Sequence, residues 1–152
     1  MKEILTPEVC LHRYFIAANR LRTYFKDRLA QNPPPASPEE ERLRWWLRAN
    51  IDDVGIFMAH WYGSLYVVIE GWKELGLSDP KIDLMLTSPH VEELRRYRNG
   101  TYHFQKDYFD SRFTEIMADS SSSVAWVHQL TDAFSEYFLR TARETNQNQK
   151  ET

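Results

Sequence analysis

Four times in this chain a residue with a side-chain oxygen stands directly before a proline: Thr6-Pro7, Ser37-Pro38, Asp79-Pro80 and Ser88-Pro89. The pairing predicts helix starts. The oxygen accepts from amides left free in a first turn, and proline, which lacks an N–H, suits the first helical position. Ser37 with Glu40 extends one of these signals to a capping box. Behind the starts, apolar residues recur at helical spacing. From about Pro7 to Leu29 they are Leu11, Phe15, Ala18, Leu21, Phe25 and Leu29, opposite a face rich in Lys and Arg. Residues 31–36, with three consecutive prolines, form a stiff connector too short to separate domains.

From Pro38 toward Leu75 the apolar face is Leu43, Leu47, Ile51, Val54, Met58, Trp61, Leu65 and Val68, beside a polar stripe of Asn50, Asp53, His60 and Ser64. A straight helix of that length would reach about 57 Å at roughly 1.5 Å per residue, too long for a compact domain of this size. The run is therefore expected to bend or break near Gly55 or Gly63, or to project toward a partner. Gly76 fits a C-cap. A short helix from Pro80 to about Leu86 and another from Pro89 to about His103 follow. Tyr108, Phe109, Phe113, Ile116 and Met117 suggest a further helical segment, and the serines at 120–123 a loop and N-cap. The last helix carries Val124, Val127, Leu130, Phe134, Tyr137 and Phe138 on one face. Residues 1–5 and 145–152 are expected to fray. With no internal repeat and no alternating strand pattern, the expected fold is all-α. It is a single domain over 1–152, a bundle of about five to six helices with one long central helix.

Composition limits the function classes. Hydrophobic residues at 42% exclude a disordered chain. A net charge of −3 argues against coating nucleic acid by bulk electrostatics, so any RNA contact has to be local. Cys10 is the single cysteine, which excludes an internal disulfide and a cysteine-based zinc knuckle. The start, Met1-Lys2-Glu3, leads into no signal-like apolar core. The most apolar run, Val54 to Ile69, is interrupted by His60 and is shorter than the roughly 20 residues of a bilayer span. A cytoplasmic protein without a membrane segment is expected.

The stretch with chemical capacity is Arg98-Asn99-Gly100-Thr101-Tyr102-His103. A guanidinium matches phosphate with paired donors, and imidazole titrates near neutral pH. The motif resembles the R-x4-H signature of the HEPN superfamily, small helical proteins that include metal-independent ribonucleases of toxin, antiviral and RNA-processing systems. The wider run from Leu94 to Phe113 is similar to HEPN-like bacterial helical proteins. The resemblance implies that Arg98 neutralises the scissile phosphate, that His103 acts as general acid or base in attack by the ribose 2′-hydroxyl, and that Asn99 orients one of them. No metal or other cofactor is implied. Residues five apart on one regular helix point about 140° away from each other. Gly100-Thr101 is a place where the helix can loosen, and the family's answer is a two-fold dimer that brings two motifs to one cleft. RNA as substrate, a homodimer and an antitoxin or defence-system partner are thus expected. An acidic residue on an earlier helix approaches the motif in this superfamily, which makes Asp53 an accessory candidate, with His60 and Tyr102 beside it. In HEPN toxins silenced by a nucleotidyltransferase, a tyrosine stands two residues past the histidine; here that position is Gln105, so tyrosine modification is not implied.

The residues leave a second reading open, a non-catalytic helical module of the same fold that binds a nucleotide, RNA or a protein. In it Arg95, Arg96 and Arg98 are a solvated face and His103 caps or packs. His90 with Glu93 and His128 with Asp132 read as surface pairs, since two ligands without a third make no metal site. Trp45, Trp46, Trp61 and Trp72 read as core or interface residues rather than base-stacking ones. Gly-rich phosphate loops and a Ser-His-Asp order are absent as recognisable motifs.

Overall fold

Helices make up every regular element among residues 5–36, 38–118 and 120–148, which are those the computed structural model describes. In chain order they are α1 (Pro7–Gln31), α2 (Glu39–Ala49), α3 (Asp53–Glu74), α4 (Pro80–Met85), α5 (His90–Tyr102), α6 (Ser111–Ala118) and α7 (Ser120–Asn148). The protein is an all-α helical bundle, with seven helices among the described residues rather than five to six. Among those residues no helix is long and apolar enough to cross a membrane.

Local capping accounts for most of the boundaries. The Thr6 hydroxyl accepts from the Val9 amide at 3.2 Å, and Asp79 accepts from the amides of Lys81 and Ile82 at 3.0 and 3.2 Å. At α5 the proline itself is the cap, so the helix begins one residue later than the pattern implies, and the Ser88 hydroxyl accepts from the His90 amide at 3.2 Å. Ser37 lies outside the described residues, and α2 is capped by Pro38 without a side-chain bond. At the end of α3, Gly76 has φ +62°, the Gly76 amide donates to Lys73 O and the Leu77 amide to Trp72 O, a Schellman stop that only a residue without Cβ makes cheaply.

The run from Pro38 toward Leu75 breaks into two helices, one of the outcomes expected for it. The first ends at Ala49, where the Asn50 amide side chain donates to Trp46 O at 2.8 Å. The second restarts at Asp52, whose carboxylate accepts from the Asp53 amide at 2.8 Å. The break lies just before Gly55 rather than at it, and α3 runs unbroken through Gly63. Gly55 nevertheless makes the break feasible, because a Cβ there would lie 2.2 Å from Ala49 O and 2.6 Å from Asn50 Cα. The turned-back end of α2 occupies that space. The break also interrupts the apolar stripe: Leu43 and Ile51 are 56% and 74% exposed, whereas Val54 through Val68 on the same face are buried.

Two further boundaries depart from expectation. Tyr108 and Phe109 lie in the 103–110 loop, because Asp107 accepts from the Phe109 amide at 3.0 Å and Asp110 from the Arg112 amide at 2.9 Å, delaying α6 to Ser111. The serine run belongs to α7, and the Ser123 hydroxyl donates to Ile116 O, fastening α7 to α6. With 29 residues α7 is the longest element, and it continues past Glu144 to Asn148.

The 22-residue α3 is central, packed on α1 and on α5. Helix α7 crosses α1, α4 and α6. Trp72 shows how the layers join. Its ring meets Phe134 and Tyr137 edge-on at 5.5 and 4.8 Å, and its N–H donates to Asp83 at 3.1 Å, so the aromatic bulk is buried with its one polar atom satisfied.

Candidate active site

Helix α5 turns Leu94, Tyr97 and Gly100 into the core and three arginines outward. Arg95 is held by Glu92 at 2.6 Å, and Arg96 by Glu115 at 2.6 Å and by Ser111 at 3.0 Å. Arg98 has no carboxylate partner among the described residues. One terminal nitrogen donates to Asn99 Oδ1 at 3.1 Å, its guanidinium lies 6.0 Å from the centre of the Tyr102 ring, and its Nε is enclosed without a hydrogen-bond partner.

The helix does not loosen at Gly100-Thr101. Both are helical, and a Cβ on Gly100 would come within 3.1 Å of Arg112 Cβ and of the Phe113 ring, so the glycine serves the close approach of α6. The helix stops after Tyr102. The His103 amide still donates to Asn99 O at 3.0 Å, but its backbone is extended, at φ −123° and ψ 128°. The direction of the His103 side chain is therefore released from the 100° step of the helix that carries Arg98.

His103 lines a cleft of about 460 Å³ together with His60 and Tyr102, joining α3 to the end of α5. The Nδ1 of His60 lies 3.3 Å from the Tyr102 hydroxyl, and the two rings are 5.7 Å apart. The Tyr102 ring reaches His60 across Gly63, where a Cβ would sit 2.6 Å from the ring edge. Trp46 and Asn50, from the end of α2, close one side. Tyr97 lies against the core, and burial pushes its phenol pKa well above the usual tyrosine range. Of the accessory candidates, His60 and Tyr102 come to the motif. Asp53 does not: at the first turn of α3 it faces α1 and pairs with Arg28 at 3.3 Å.

Several lining residues were not singled out from sequence as parts of a site. Phe104, Tyr108 and Phe109 follow the motif in the 103–110 loop and are 90%, 54% and 58% exposed. The Asp107 and Asp110 turns were the local sign that this aromatic stretch is loop rather than helix. Trp46, read as a packing residue, also faces the cleft, whereas Trp61 and Trp72 are fully buried.

The two other histidine pairs have structural surroundings. His90 Nδ1 is 2.7 Å from Glu93 and its Nε2 is 3.0 Å from the Ser122 hydroxyl, which ties α5 to α7 beside the Trp126 ring. His128 meets the Trp61 ring edge-on at 4.9 Å, while Asp132 is taken by Arg22 at 2.6 Å. Burial lowers the His128 pKa, helped by the nearby Lys26 and Arg22 cations and opposed by Asp132. Among the described residues no group of three or more His, Cys, Asp or Glu is placed to hold a metal ion. In comparisons with known proteins, no family model, curated protein or solved structure matches this chain.

Proposed function

We propose that this chain is a HEPN-like endoribonuclease of the toxin or phage-defence type, cutting RNA by 2′-hydroxyl attack without a metal. The observation that carries the reading is one open cleft lined by two imidazoles, His60 and His103, and by Tyr102, whose ring centre lies 6.0 Å from the guanidinium of Arg98, a side chain with no carboxylate partner among the described residues. In the reaction one imidazole takes the 2′-hydroxyl proton as the 2′-oxygen bonds to phosphorus. The P–O5′ bond breaks, and the other ring, protonated, gives a proton to the departing 5′-oxygen. Arg98 offsets the charge that builds on the phosphoryl oxygens. Tyr102, held between Arg98 and His60, keeps both in place. Acid and base then come from one chain, and a two-fold dimer adds a second cleft rather than completing the first. An antitoxin or defence-system partner that silences the cleft belongs to the same reading.

The test is cleavage of single-stranded RNA in EDTA by wild type, Arg98→Ala and His103→Ala. The expected products are a 2′,3′-cyclic phosphate and a 5′-hydroxyl, with a substrate deoxy at the cut left intact. Either substitution should lower the rate by about a hundredfold or more while the helical spectrum is kept. Equal cleavage by wild type and His103→Ala would reject the assignment.

A further inference from the structure

We infer that the 103–110 loop is a stacking platform, and that the cleft takes single-stranded RNA with its bases unstacked rather than a duplex. The inference depends on the ribonuclease reading only for the choice of RNA as the nucleic acid. Phe104 is 90% exposed, more than any other large apolar residue among those described, and it follows His103 directly. Tyr108 stands more than half exposed with its ring meeting Phe109 edge-on at 5.2 Å, so one ring props the other outward. Both ends of the loop are anchored: the Gln105 side chain donates to His103 O at 2.6 Å, and Asp107 closes the turn at Phe109. These rings are therefore presented by a held backbone rather than collapsed onto the core.

Exposed aromatic rings alone would suit a protein partner equally well. What favours a nucleic acid is the pair of imidazoles on the cleft wall and the arginine next to it. His60 and His103 line the cleft together with Phe104, and Arg98, itself outside the lining, lies 6.0 Å from the centre of the Tyr102 ring that belongs to it. A polymer that carries one flat ring and one anion per unit matches this alternation, and base-on-aromatic stacking tolerates any sequence. A duplex hides its base faces and offers nothing for the rings to stack on. The cleft volume of about 460 Å³ falls in the roughly 300–1,000 Å³ range of small-ligand sites, room for a nucleotide unit but not for a helix of two strands. With a net charge of −3, the chain gains little from long-range attraction to phosphates, so stacking has to supply much of the affinity.

The experiment is fluorescence anisotropy with a short labelled RNA of mixed sequence, single-stranded and as a duplex, using the full-length His103→Ala protein so that binding is read without cleavage. The single strand should bind at least tenfold tighter than the duplex. Phe104→Ala and Tyr108→Ala should each weaken it by roughly fivefold to a hundredfold. Phe104→Trp should retain affinity, and Leu84→Ala, exposed on α4 outside the cleft, should bind as the parent does. Unchanged affinity in both alanine variants, or equal binding of duplex and single strand, would overturn the platform. So would conversion of a dimer to monomer by those variants with RNA affinity intact, which would assign the rings to a contact between copies of the chain. The two readings fail separately. Loss of binding in the loop variants, with cleavage unaffected by Arg98→Ala and His103→Ala in the wild-type background, leaves the platform and removes the catalytic assignment.

Discussion

Gly63→Ala separates the stability of the bundle from the geometry of its cleft. A methyl group at position 63 would stand 2.6 Å from Tyr102 Cε2, 3.2 Å from its hydroxyl and 3.3 Å from Cζ, so the ring has to move. It can, because Tyr102 is 48% exposed and the clash is with the outer part of a side chain rather than with backbone. On the stability side, replacing glycine by alanine inside α3 gains about 1 kcal/mol of helix propensity. Loss of the 3.3 Å contact between Tyr102 and His60 costs about 0.5–1.5 kcal/mol. The two nearly cancel, and urea melts should place the variant within about 1 kcal/mol of wild type, or roughly 2–4 °C in Tm. On the functional side, the displaced ring no longer lies between Arg98 and His60. A misplacement of about 1 Å in a reacting group can cost about a hundredfold, so RNA cleavage should fall tenfold or more in a protein of nearly unchanged stability. Cleavage equal to wild type would refute the positioning role of Tyr102. A loss of more than about 3 kcal/mol would refute the view that the ring yields.

Two further outcomes follow from other parts of the bundle. Gly55→Ala meets backbone at 2.2 Å, which cannot rotate away, so overpacking at the upper end of about 1–3 kcal/mol should outweigh the propensity gain of about 1 kcal/mol and lower the urea midpoint by an amount worth up to about 2 kcal/mol; a midpoint above wild type would contradict the packed break between α2 and α3. Burial lowers the pKa of His12, stacked on Phe138 at 4.7 Å, and of His128, so the native state holds both rings neutral while the unfolded chain takes up protons near about pH 6.5. Their contribution to stability is complete above that value and is lost as pH falls from it toward the native pKa values. Urea titrations over that window should show His128→Gln flattening the pH dependence, and an unchanged slope would count against the buried neutral ring.

The starts at Thr6-Pro7 and Asp79-Pro80 and the stop at Gly76 are legible in the sequence because the groups that make them lie within a few residues of each other. The inward face of α1 and the buried faces of α3 and α7 follow from periodicity for the same reason. The break at residues 50–52 had a local sign, Asp52 as a cap, but whether a helix continues past such a residue depends on what packs there. In this chain the end of α2 turns back onto Gly55. Tyr108 and Phe109 have the spacing of a helical face, yet two aspartate turns outcompete it and leave the rings in solvent.

The candidate site divides along the same line. Arg98, Asn99 and His103 are neighbours in the chain, and their motif can be read without coordinates. Arg98 stands out from Arg95 and Arg96 only once Glu92 and Glu115 are seen to occupy the other two. His60 is 42 residues before Tyr102, and Trp46 lies still earlier. The sequence by itself determined the helices and the presence of a motif, because those depend on bonds and faces within a few turns. Only the tertiary structure decided that α3 passes close enough to α5, across Gly63, to put a second imidazole beside that motif, because such contacts are set by how whole helices pack.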